Sequence, residues 1–89
     1  MSSRLVRSPR VLSRRVGPEV VLAAELGDGF DRLSPTATAV WELLAQPITR
    51  TELLERLAAA YAVEVDAIAN EVDALLEEFE GRGWLEPGP

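Results

Sequence analysis

The stretch Leu33-Ser34-Pro35-Thr36-Ala37-Thr38-Ala39-Val40-Trp41-Glu42-Leu43-Leu44 is where the chain changes its periodicity. Ser34 followed by Pro35 reads as a helix start. A serine hydroxyl accepts from an orphaned N–H of the first turn, and a proline at the first helical position gives up only an N–H that has no partner there. Ala37, Val40, Trp41 and Leu44 then fall at i, i+3, i+4 and i+7, one apolar stripe. Gln46-Pro47 ends the helix, because the residue before a proline is pushed out of the helical region. This stretch divides the chain into short extended pieces before it and helices after it.

Working back toward the start, Gly27-Asp28-Gly29 precedes Phe30-Asp31-Arg32-Leu33, and Gly17-Pro18 separates Val11-Leu12 from Glu19-Val20-Val21-Leu22-Ala23-Ala24. Asp-Gly and Gly-Pro between extended runs are turn signals. They predict a three-strand meander over roughly 10–16, 19–25 and 29–33. Residues 1–8 are polar and basic and are expected as a loose arm.

Working forward, Thr49-Arg50-Thr51-Glu52 matches a capping box, and Leu53, Leu54, Leu57 and Tyr61 form the stripe of a second helix. A break over 62–65 leads to Asp66 as a candidate N-cap. A third stripe follows at Ile68, Val72, Leu75, Leu76 and Phe79, with Gly81 and Gly83 closing it. Trp84-Leu85 is a last apolar anchor, and residues 87–89 are expected as a tail. The fold class is therefore α+β and winged-helix-like: a three-stranded antiparallel N-terminal sheet followed by three helices, β-β-β-α-α-α. One domain spans 9–86. Its last two helices, joined by a few residues, make a helix-turn-helix unit.

Composition limits the function. In 89 residues there is no cysteine and no histidine, which removes thiolate chemistry, the commonest general base and the commonest metal ligand. No Asp-rich loop of the calcium type occurs. An enzyme, a cofactor and a metal are not expected. No run approaches a membrane span or the apolar core of a secretory signal, so the expected location is cytoplasmic, with no membrane partner. The net charge of −6 is uneven: residues 1–15 hold five arginines and no acid, while the remainder holds four arginines against all fifteen acids. A helix-turn-helix would read DNA with its second helix, here 66–80. That segment carries Asp66, Glu71, Asp73, Glu77, Glu78 and Glu80 and no base, which opposes binding to phosphate. Nucleic acid is not an expected partner.

A short third strand after a hairpin is a candidate sheet edge, with backbone groups left unpaired. Asp31 and Arg32 are the charges that would blunt it. Alternatively, such an edge takes up an extended peptide as a further strand, each net backbone hydrogen bond contributing ~0.5–1.5 kcal/mol, with the third helix as a second wall.

The 33–44 block resembles the "LNxTAxxIWxLL" hallmark of PqqD-like proteins. Thr49-Arg50-Thr51-Glu52-Leu53 is similar to that family's "TxxEL", Glu71-Val72-Asp73-Ala74-Leu75-Leu76 to its "DVxxxL", and Gly83-Trp84-Leu85 to its "GLL" or "GWL" close. The resemblance covers roughly 9–86, with every block in order. Ser34 stands where the family has Asn and keeps the cap; Glu71 stands for Asp and keeps the charge.

The resemblance implies a recognition element of ribosomally made, modified peptides. Such proteins bind the leader of a precursor by pairing it with the third strand of the meander and packing it on the third helix. It implies a non-catalytic partner of a modifying enzyme. The texture is most like the free-standing leader-recognition subunit of lasso-peptide biosynthesis, which works with a separate cysteine leader peptidase and the cyclase that follows it. The alternatives are a peptide chaperone for a radical-SAM maturation enzyme and, in another class, a winged-helix nucleic-acid-binding protein. Phe30, Asp31, Arg32 and Leu33 are carried over as the pairing strand. Ala69, Val72, Asp73 and Leu76, spaced by three, one and three, are the expected helical wall, with Asp73 facing a leader cation or hydroxyl. Trp41 and Trp84 are expected in the core, and Arg14 and Arg15 on a solvated edge or, alternatively, in contact with the peptidase.

Overall fold

The computed structural model describes residues 4–24 and 31–87. Strands β1 (Arg4–Arg7), β2 (Val11–Val16), β3 (Glu19–Ala24) and β4 (Asp31–Arg32) come first. They are followed by α1 (Pro35–Leu43), β5 (Ile48–Thr49), α2 (Arg50–Tyr61), α3 (Val65–Gly81) and β6 (Leu85–Pro87). The strands form two antiparallel three-stranded sheets. One is the expected meander, ordered β2-β3-β4; the other is ordered β5-β1-β6. The α+β class and the meander-then-helices order stand, and the second sheet is an addition. Its strands are two to four residues long, with registers such as Leu5↔Ile48 and Val6↔Glu86. Local sequence carries no signal for such pieces, because they are strands only by virtue of one another.

Two boundary expectations are corrected by this sheet. Residues 4–7, expected in a loose arm, form its central strand, and Pro87, expected in the tail, pairs with Leu5 at its margin. A proline is tolerated there because β6 is an outer strand of its sheet. The turn at 27–29 lies outside the described residues.

The first helix begins as read: the Ser34 hydroxyl accepts from Ala37 N–H at 3.1 Å. Ala37, Val40, Trp41 and Leu44 are all buried. The second begins at a reciprocal capping box between Thr49 and Glu52. The third starts two residues earlier than expected. It starts after Glu64, which makes no side-chain cap, and Asp66 lies inside its first turn, where a carboxylate favours the positive end of the helix. Of the two glycines expected to close it, only Gly83 takes up the left-handed conformation, at φ 76°. Gly83 N–H then reaches Glu80 O (3.0 Å) and Trp84 N–H reaches Phe79 O (2.9 Å), the paired bonds of a Schellman close.

That close drops Trp84 against Phe79, with ring centroids 5.4 Å apart, and Phe79 in turn meets Trp41 edge-to-face at 5.9 Å. These rings, with Leu22, Leu44, Leu53, Leu57 and Val72, are the centre of the core. On β1, Leu5 and Arg7 share the inward side. The Arg7 guanidinium stacks 4.3 Å from the Trp41 ring and donates to the Trp41 carbonyl. A cation on a C-terminal carbonyl complements the helix dipole, and α1 has no basic residue of its own in its last turn. Burial lowers the Arg7 pKa, and Glu42 opposes that shift. Among the described residues no helix is long and apolar enough to cross a membrane.

Candidate functional site

The site is built on the margin of the meander. Strand β4 is the last strand of its sheet and pairs only inward, Val21↔Arg32 and Leu22↔Asp31. Leu33 N–H continues the ladder to Val20 O at 3.0 Å. Backbone groups of alternate residues point to opposite sides of an antiparallel strand. The Arg32 N–H and C=O therefore point away from β3. Leu33 itself is buried and holds the strand to the core, while the Arg32 side chain is 76% exposed and lies 3.6 Å from Glu19. Phe30, expected beside them, lies outside the described residues.

Next to that margin runs a cleft of about 210 Å³ between the strand and α3. Arg32, Leu33 and Ser34 line one side. Leu75, Glu78, Phe79 and Arg82 line the other, with Ala37 and Trp84 at the floor. Leu75, Glu78 and Phe79 of α3 and its C-cap residue Arg82 fall at i, i+3, i+4 and i+7, one helical face. The cleft is thus a small slot of mixed character, with buried apolar side chains behind it and Arg32, Glu78 and Arg82 on its rim.

This face is not the one the sequence predicts for the wall. Val72 is 1% exposed and Leu76 9%, both inside the core, so neither offers surface to an external chain. Ala69 is half-buried against the same core. Asp73 turns toward α2, where Arg50 grips it bidentately at 2.7 and 2.8 Å. That pairing holds the Asp73 carboxyl below its ordinary pKa and raises that of Arg50. The expected cationic or hydroxyl partner for Asp73 is already supplied from within the chain. Helical spacing says which residues share a face, but not which neighbour that face meets. Leu75, Glu78 and Arg82 carry the same i, i+3, i+7 signal and were equally readable as a stripe.

Trp41 and Trp84 are in the core as expected. Arg15 is on the surface but partnered, 2.9 Å from Glu42 of α1. No group of three or more carboxylate, histidine or cysteine residues among the described residues is placed to hold a metal ion.

Comparison with known proteins bears on this arrangement. A solved structure, described as TbiB1 in complex with the TbiA(beta) leader peptide, superposes with a TM-score of 0.82 at 22% identity. The match covers 91% of this chain and 94% of that one. At that identity the likeness is one of fold. No curated protein sequence matches the chain. The family described as coenzyme PQQ synthesis protein D (PqqD) matches residues 19–85, from the first residue of β3 to the first of β6. That span takes in β4, all three helices and the cleft between them, and the chain belongs to the PqqD family.

Proposed function

We propose that this chain is a non-catalytic adaptor for the leader segment of a ribosomally synthesised precursor peptide. The leader adds as a strand along β4, with Phe30, Asp31, Arg32 and Leu33 as the pairing segment. Its side chains enter the cleft against Leu75, Glu78 and Arg82. The observation that carries this reading is the outward backbone of Arg32 directly beside a slot between β4 and α3. Main-chain pairing supplies affinity without regard to sequence, and the slot selects a side chain. PqqD membership supports it, as does the shared fold with a protein solved on a leader peptide.

The adaptor hands the captured peptide to a separate cysteine leader peptidase in the cytoplasm, ahead of the cyclase, in lasso-peptide biosynthesis. A second reading, delivery to a radical-SAM maturation enzyme, is favoured by the description of the matching family. The enzymes encoded beside the gene separate the two.

Calorimetric titration with the synthetic leader is the test. A Kd near or below about 1 μM, about −8 kcal/mol, is expected, and silence at about 100 μM removes the adaptor reading. Leu75→Asp is expected to weaken binding tenfold or more, ~1.4 kcal/mol, with helical circular dichroism unchanged.

A further inference from the structure

The outer face of the β2-β3 hairpin is unlike an ordinary solvated sheet face. The register Leu12↔Ala23, Arg14↔Val21 and Val16↔Glu19 puts these residues on one side. The other side carries Val20 and Leu22 into the core. An antiparallel sheet covered on one face alternates apolar-in with polar-out. Here the outward side is itself apolar: Leu12 is 67% exposed and Val16 53%, two of the four large hydrophobic residues exposed among those described. With Val21 and Ala23 they line a concavity of about 580 Å³.

The charge on this face is one-sided. Arg14 sits in the middle of it, while Arg15, the next residue on the strand, belongs to the other side and pairs with Glu42 at 2.9 Å. The one acid in the register, Glu19, lies 3.6 Å from Arg32. A matching surface therefore offers apolar side chains flanked by carboxylates. Size argues for a transient occupant. Six residues of a two-stranded ribbon present roughly 20 by 10 Å, or about 200 Å², against about 800 Å² per partner for a stable interface. That is too little for a permanent dimer of this chain, and it suits a contact made and released in each cycle. Its position suits a second partner. β2 and β4 are opposite margins of the same sheet, so β2 with its outer face remains free while a peptide occupies β4.

We infer that Leu12, Arg14 and Val16 form the docking face for the peptidase that receives the captured peptide, through an apolar, carboxylate-flanked patch on that enzyme. This rests on the adaptor reading above. The test is a pair of titrations on the full chain, one with the leader and one with the leader peptidase encoded beside the precursor. The variants are Leu12→Glu/Val16→Glu and Arg14→Glu. Leader affinity within about twofold of the parent, with peptidase affinity at least tenfold weaker, is expected for both variants. Unchanged peptidase binding overturns the docking face, whatever the leader does. Peptidase binding lost in the variants upholds it, even in a parent chain that ignores the leader. Concentration-dependent dimerisation in sedimentation, abolished by Leu12→Glu/Val16→Glu without effect on the peptidase, assigns the face to a second copy and also overturns the proposal.

Discussion

Helices α2 and α3 carry similar apolar stripes, yet they are fastened at opposite ends. α2 opens on the Thr49–Glu52 box, two orphan donors satisfied within four residues. α3 opens without a side-chain cap. At the other end the order reverses. α3 closes on Gly83, to which φ 76° costs little, and its last turn delivers Phe79 and Trp84 to each other. α2 closes on Ala62 at φ 55°, where a Cβ crowds the backbone, although Val63 N–H still reaches Ala58 O at 3.0 Å. One helix is defined locally where it starts; the other is defined by what it packs against where it ends. The candidate cleft is built on the second kind, along the final two turns of α3.

The largest test of that contrast is Val72→Asp. A charge at a site 1% exposed is expected to cost about 3–5 kcal/mol, most of what holds so small a domain together. The measurement is the loss of a cooperative melting transition. A folded Val72→Asp that merely binds peptide poorly would mean α3 is rotated from its position here. Gly83→Ala comes next. No neighbouring heavy atom lies within 4 Å of a Cβ built there, so the cost is one of backbone conformation, about 1–2 kcal/mol in urea unfolding. Should this change be silent, the Schellman close does not hold α3.

Thr49→Ala is expected to cost about 1 kcal/mol and to act on the start of α2. Its mirror, Ala62→Gly, is expected to stabilise by about 0.5–1 kcal/mol, since relief of the left-handed alanine exceeds the extra freedom of the unfolded chain. A destabilised Ala62→Gly would remove the argument about that helix end.

The smallest effect is on acid stability. The backbone N–H and then the hydroxyl of Thr49 hold Glu52 below its ordinary 4.5, and the Arg50 hydrogen bond holds Asp73 below 3.8. Folded values below unfolded ones mean that the unfolded chain binds more protons in this range. The stabilisation is therefore complete above the unfolded values and fades as pH falls through the folded ones. Urea midpoints are expected to drop on acidification through this range, and less steeply in Glu52→Gln and Asp73→Asn. Equal slopes in parent and variants would show that these two pairs do not set the acid limb.

Much of this contrast was readable from residue order. The Ser34 cap, the Thr49 box and the stripe through Val40 and Trp41 depend on groups three or four residues apart, which share a turn in any helix. The meander was readable because its strands follow one another and only Gly17-Pro18 separates β2 from β3. The second sheet was not readable. Arg4–Arg7 is a strand because Ile48 and Leu85 arrive from far along the chain to pair with it. Nor was the wall of the cleft. Ala69, Val72, Asp73 and Leu76 share spacing with the lining of a groove, but Arg50 and the aromatic cluster claim that side of α3. Leu75, Glu78 and Arg82 are left facing β4.

Sequence alone therefore determined the elements joined by local hydrogen bonds and the uneven distribution of charge, and it offered the strand margin as a place to look. Only the tertiary structure decided which side of α3 meets that margin and which of its residues are withdrawn into the core. Rotation of a helix about its axis leaves every internal bond intact, and is set by the neighbours it packs against.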